Sequence, residues 1–288
     1  MNKNTFEPGL SLLRQPVAPL VSMVQFLYLT GPFATVAEVV GEMPEPIETE
    51  LAVYEHPVAL LREYLEFLQP LESLKSEQET GSDVVDEHGE PVDRMTAVSA
   101  LVMQQVLTAE LEKINSRLCG PCNCTLCCTG PSAGMSQEFF EIPLAPREID
   151  LFDVDRCDHA DSRAHRARDE EELYCDGRPF YRRRSPGLFH WQNGWSLILP
   201  RGAQCPNLEA GSGRCRVYAQ RPEVCRRPQI FPYMLERLDE PRAGSPVYRL
   251  RQTLLAVVDC PYVRELQDDI ARYAAAAELH LAWKENKS

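Results

Sequence analysis

Positive charge is in short supply. The chain has 30 Lys and Arg against 43 Asp and Glu, a net charge of −13 and a pI near 5.0. A nucleic-acid binder normally carries a concentrated basic face, so this balance argues against one and suits a protein kept soluble by its acidic excess. Long apolar runs are also missing. The most apolar stretch near the start, Val17 to Leu29, covers 13 residues and stops at Gly31-Pro32. That falls short of the ~20 residues of a membrane helix. Glu7, Pro8 and Pro16 ahead of it make an atypical leader. The expectation is a buried helix, with no membrane partner. No strand–GxGxG–helix pattern precedes a candidate phosphate site, and neither a Ser/His/Asp array nor diagnostically spaced paired carboxylates occur. Internal repeats and low-complexity tracts are absent.

Cysteine is scarce on average and crowded in places. Eleven in 288 residues lie well below the roughly 8–10% of a disulfide scaffold. Yet Cys119, Cys122, Cys124, Cys127 and Cys128 fall within ten residues, in the run CGPCNCTLCC. Cys205, Cys215 and Cys225 follow at ten-residue intervals. Adjacent Cys127 and Cys128 cannot bridge one another without strain, and so many near thiols would pair ambiguously. Reduced thiols are therefore expected, and with them a cytoplasmic setting. Dense soft thiolates select zinc, Cu(I) or iron–sulfur clusters over hard cations.

Apolar residues make up 44% of the chain, enough for a sizeable core. Residues 1–77 read as a helical module. In it Leu60, Leu61, Tyr64, Leu65 and Leu68 recur at three- and four-residue spacing. Residues 78–94 are acidic and turn-rich, an expected linker or hairpin about His88-Gly89. Residues 95–288 form the expected cysteine domain with C-terminal helices. It opens with a helix from Met95 to Leu118 that Gly120-Pro121 should stop. Phe139 to Asp153 suggests a strand and then a helix start at Pro146. Residues 155–185 are a charged surface insertion, and Trp195–Leu199 reads as a buried strand. Val247–Lys284 reads as helical apart from Cys260-Pro261. The expected class is α+β and predominantly helical: a cysteine-rich metal-binding core with short strands, after a helical N-terminal module.

The second block, CPNLEAGSGRCRVYAQRPEVCRRP, places three thiols on a compact unit about the turn Gly211-Ser212-Gly213. From Cys205 to Arg226 it resembles the CxxCxxCC cysteine-cluster family, a zinc- or iron-chelating domain, whose later block reads C-P-x-L…G-x-C-x-[VI]-Y-x-x-R-P-x-x-C-R. The earlier cluster departs from the family pattern, because counting back from Cys127-Cys128 finds Cys124 and then Pro121, with Cys122 and Cys119 beside it. The resemblance covers about Cys119 to Pro228. It implies a chelated metal and, more distantly, a likeness to flagellin lysine-N-methylases, which pair an iron–sulfur centre with S-adenosylmethionine.

Ligand arithmetic supports a metal independently. The two blocks supply eight cysteines, and Cys260, also followed by proline, makes nine. Tetrahedral zinc and a [4Fe–4S] cluster each take four. The expected metal ligands are Cys119, Cys122, Cys127, Cys128, Cys205, Cys215, Cys225 and Cys260, with Cys124 in reserve. Near-absence of histidine from both blocks favours an iron–sulfur cluster, [4Fe–4S] first, with all-cysteine zinc close behind. Arg226 and Arg227, directly after Cys225, offset thiolate charge or hold an anionic cofactor or substrate. Cys157 and Cys175 read as incidental thiols, and His190 as a packed histidine. The functional expectation is a metal-binding protein with a structural or redox centre. A methyltransferase-like enzyme and a metal carrier or adaptor docking a protein through the N-terminal helices stand as alternatives.

Overall fold

A computed structural model describes residues 3–75, 83–169, 173–175, 177–227, 229–238 and 246–285. The chain divides into two compact units. The first comprises Met1–Leu118, Gln229–Val258 and Tyr262–Lys284; the second comprises Cys119–Pro228, Asp259–Pro261 and Glu285–Ser288.

In the first unit, helices Ala18–Thr30, Val36–Gly41, Pro57–Arg62 and Leu65–Leu68 enclose one core with the long helix Arg94–Cys122, which belongs to this unit as far as Leu118. Val17, Leu20, Val24, Tyr28, Leu61, Leu68, Val102 and Val106 are buried together in it. The stretch Glu7–Thr30 has the length and composition of a membrane span, and 44% of its most apolar window is buried inside the protein. Thr35 opens the helix Val36–Gly41 by accepting the Glu38 N–H on its hydroxyl. Of the linker expected over 78–94, residues 78–82 lie outside the described residues. A turn follows in which the Asp86 carboxylate accepts from the His88 and Glu90 backbone N–H groups.

The same unit holds a four-stranded sheet. Strand Ile230–Arg237 pairs antiparallel with Tyr248–Val257, which pairs parallel with both His280–Lys284 and Val84–Val85. Asn115 and Glu110 are buried here, and both are hydrogen-bonded. Asn115 donates to the Ile230 carbonyl at 2.6 Å and accepts from the Ile230 N–H at 3.2 Å and the Tyr262 hydroxyl at 2.7 Å. Glu110 accepts from the Val17 N–H at 2.9 Å and the Tyr273 hydroxyl at 2.6 Å. Burial pushes the Glu110 carboxyl up to about 7 against these bonds.

In the second unit, a sheet runs in the order Phe139–Leu144, Gly194–Pro200, Gly187–Trp191, Arg156–Cys157. The first three strands are antiparallel neighbours and the last pairs parallel. Leu144, Leu188, Leu197 and Leu199 fill one core; Phe180, Phe189, Trp191 and Ile198 fill another. Trp191 satisfies its buried indole N–H on the Ser196 hydroxyl at 2.7 Å.

The protein is 43% helix and 22% strand, a mixed α/β fold with several sheets, which overturns the expectation of a predominantly helical chain. Residues 247–284 account for much of the difference. Tyr248–Val257 is a ten-residue strand and His280–Lys284 another, with helices Pro261–Glu265 and Gln267–Ala276 between them. Alternate burial of Leu254 and Ala256 gives strand periodicity, and sheet partners distant in sequence decide the outcome over local propensity. Ile230–Arg237 is a further strand without an expected counterpart. Gly120-Pro121 does not stop the long helix, which continues to Cys122. A proline in the last turn removes a single helical hydrogen bond, and the left-handed Asn123 (φ 51°) makes the stop.

Candidate metal centre

All nine cysteines expected as ligands lie in the second unit. The first block leaves the helix end at Cys122, turns at Asn123 and forms a short 3-10 turn over Leu126–Cys128. The second block begins where an extended segment comes alongside it. The Cys205 N–H donates to the Cys128 carbonyl at 2.7 Å, Thr129 bridges to Gln204, and the Gly130 N–H donates to the Ala203 carbonyl at 2.8 Å. Gly130 makes this approach possible: a Cβ there would lie 1.9 Å from the Pro200 carbonyl oxygen.

From Cys205 the chain makes a hairpin-like loop. Leu208 bridges to Cys215, and the left-handed Gly211 and Gly213 (φ 85° and 68°) turn the chain between them. The Asn123 amide donates to the Ser212 carbonyl at 2.9 Å, tying this loop to the first block. Pro222 then leads into the helix Glu223–Arg226, which carries Cys225.

Two groups of sulfurs result. In the first, the Cys122, Cys124 and Cys260 sulfurs lie within 4.8 Å of one another. Cys124 is hydrogen-bonded to both others, and its thiol is raised chiefly by the bond to Cys122. Cys260 is buried and arrives from far along the chain, on a three-residue excursion, Asp259–Pro261, between stretches assigned to the first unit.

The second group comprises Cys119, Cys127, Cys128, Cys205, Cys215 and Cys225, which are electrostatic neighbours in a connected set that adjoins the first group through Cys124. Cys127 and Cys128 sulfurs are 4.0 Å apart. Their shared hydrogen bond lowers Cys127 and raises Cys128. Burial, then the neighbouring Cys127 and Cys205, push Cys225 up to about 12. Burial likewise raises Cys205, opposed by the Asn207 and Leu208 N–H groups that hydrogen-bond to its sulfur. So many half-buried thiols cannot ionise together unless a cation takes the place of their protons.

Arg221 is a cation that acts on Cys119, Cys127 and Cys225. It is buried, stacks on the Tyr218 ring at 4.2 Å, and hydrogen-bonds to Cys119 and to the Tyr218 hydroxyl. Tyr218 in turn lies over Gly120, where a Cβ would meet its hydroxyl at 3.2 Å. Sequence reading passed over this pair; the signal available was an arginine between two ligand-type cysteines and three residues after a tyrosine. Arg226 lies half-buried on the helix after Pro222, and Arg227 is exposed and ion-paired with Glu223. His190 is stacked on Trp195 at 4.6 Å and bonded to Asp158 at 2.9 Å.

The donor set fits a thiophilic metal. All the donors are thiols, backbone N–H groups and a guanidinium stand ready to offset thiolate charge, and no carboxylate or imidazole joins Cys122, Cys124 and Cys260 among the described residues. Cys157 and Cys175 are also brought together, beside His159 rather than beside these nine.

Residues 118–243 match the CxxCxxCC family model, described as "Putative zinc- or iron-chelating domain". No curated protein and no solved structure matches the chain, and nothing in the comparisons supports the likeness to flagellin lysine-N-methylases. The match spans every cysteine of both sulfur groups except Cys260, so this part of the chain is similar to that family.

Proposed function

We propose that the domain is a cysteine-ligated metal-binding module with two centres. One is a mononuclear thiolate site at Cys122, Cys124 and Cys260. The other is an iron–sulfur centre drawn from Cys119, Cys127, Cys128, Cys205, Cys215 and Cys225. The observation that carries this reading is the junction of the two blocks at Cys128 and Cys205, which gathers sulfurs from distant sequence into one unit.

The number of sulfurs distinguishes the two centres. Tetrahedral zinc with Zn–S near 2.3 Å sets its sulfurs about 3.8 Å apart, and three sulfurs within 4.8 Å of one another are compatible with such an ion. The larger group offers six sulfurs, more than a single tetrahedral ion takes. It also offers N–H donors at Cys205 and the Arg221 cation, features that tune and neutralise a thiolate-bound cluster. A bound centre would supply electron transfer or cross-linking of the fold. The chain's own residues hold it: Asn207 and Leu208 orient the Cys205 sulfur, and Tyr218 holds the Arg221 guanidinium beside Cys119. Such thiols persist in a reducing compartment, which supports a cytoplasmic protein.

Anaerobic purification followed by iron, zinc and acid-labile sulfide analysis tests the proposal. Iron and sulfide in equal amounts, with broad visible absorbance, are expected alongside a further thiolate-bound ion. A chain that holds neither metal after reconstitution would refute it.

A further inference from the structure

We propose that Cys157, His159 and Cys175 form a separate site for a single zinc ion, outside both cysteine blocks. Cys157 ends the strand Arg156–Cys157, Cys175 ends Tyr174–Cys175, and His159 caps the helix Ala160–Ala164. The Cys157 sulfur is 3.2 Å from His159 Nε2 and 3.9 Å from the Cys175 sulfur, and all three donor atoms lie within 4.8 Å of one another. A tetrahedral zinc with bonds near 2.3 Å to sulfur and 2.0–2.1 Å to nitrogen requires an S–S edge of about 3.8 Å and an S–N edge of about 3.6 Å. The two measured edges match within a few tenths of an ångström.

The scaffold pre-positions the donors. Cys157 pairs with Phe189 in the parallel strand register, and Cys175 pairs with Arg178 across a two-stranded hairpin. Both sulfur-bearing residues pack against the buried cluster of Phe180, Phe189 and Trp191. His159 approaches from the more exposed side, held as an N-cap by the Ser162 N–H, which its Nδ1 accepts at 3.2 Å. Without metal, that bond leaves the imidazole proton on Nε2, directed at the Cys157 sulfur. Binding releases both thiol protons to solvent and moves the imidazole proton to Nδ1, which then gives up the Ser162 N–H bond. There the Asp161 carboxylate, 3.8 Å away, is the group able to accept it, the carboxylate–histidine pairing usual behind a metal-bound imidazole.

Mixed sulfur and imidazole donors favour zinc, whereas the two larger groups are all sulfur. Among the described residues no fourth Cys, His or carboxylate joins the three.

The test uses the full chain, the double variant C157S/C175S and the variant His159→Asn, which keeps a good N-cap while removing the imidazole. Each is purified without oxygen, checked for fold by circular dichroism, and titrated with zinc alone and with cobalt as a spectroscopic substitute. The full chain is expected to bind one equivalent more than C157S/C175S, with tetrahedral cobalt bands that include sulfur-to-metal charge transfer. His159→Asn should weaken that equivalent by more than the ~10–100-fold typical of losing an outer-shell partner. Equal metal content in all three chains would overturn the site. So would a Cys157–Cys175 disulfide found by mass spectrometry in the oxygen-free full chain. The readout is a difference of one equivalent, so it stands or falls separately from the metal content of the two cysteine blocks.

Discussion

The Cys205 N–H donates to the carbonyl of Cys128 at 2.7 Å, joining residues 77 positions apart in the two cysteine blocks. Around that bond the backbone leaves no slack, because Gly130 lies against the Pro200 carbonyl. Gly130→Ala is therefore expected to destabilise the second unit by roughly 3 kcal/mol or more and to lower bound metal with it. Thermal unfolding and metal analysis of the same preparation check this; an unchanged midpoint would mean the strand contact is slack after all.

Arg221 is expected to hold charge balance at the larger sulfur group. Arg221→Ala should release metal to a chelator about tenfold faster. Arg221→Lys should recover only part of the loss, because an ammonium neither stacks on Tyr218 nor forks its donors as a guanidinium does. Stopped-flow chelator transfer measures both. Full recovery by lysine would reduce the role of Arg221 to net charge.

Glu110 gives a pH dependence with a defined sign. Its carboxyl titrates near 7 in the folded chain and near an ordinary 4.5 when unfolded, so the folded state binds more protons between those values. Stability contributed by the protonated form is complete below about pH 4.5 and lost as pH rises through 7, a decline on the order of 3 kcal/mol. Glu110→Gln should flatten that limb of the curve. Urea unfolding of both chains across pH 5 to 8 decides it, and parallel curves would count against the burial argument.

Asn115 joins the long helix to two other segments of the first unit through three hydrogen bonds. Asn115→Ala leaves the Ile230 backbone groups unsatisfied and should cost roughly 3 kcal/mol. Denaturant midpoints at constant slope report the loss; a cost below about 1 kcal/mol would show that water replaces the amide.

What the sequence revealed and hid follows from the range of the forces. Trp195–Leu199 was readable because a short apolar run between turn residues needs only local evidence, and it lies within the strand Gly194–Pro200. Tyr248–Val257 was misread because Arg249, Gln252 and Thr253 interrupt its alternation, while its stability comes from partners at Ile230–Arg237 and His280–Lys284. The same distance effect governs the site. Cys260 stood out only as a further thiol; its arrival beside Cys122 and Cys124 depends on the chain path through that strand. His159 was invisible because its neighbours in the charged segment gave no ligand spacing, and Cys175 reaches it only through tertiary packing.

The most direct test of a centre shared by the two blocks is the metal content of Cys128→Ser, Cys205→Ser and the double variant, each purified without oxygen. If both sulfurs serve one centre, each single variant loses the same metal and the double loses no more. Full retention in either single variant, or losses that add in the double, would contradict the shared centre.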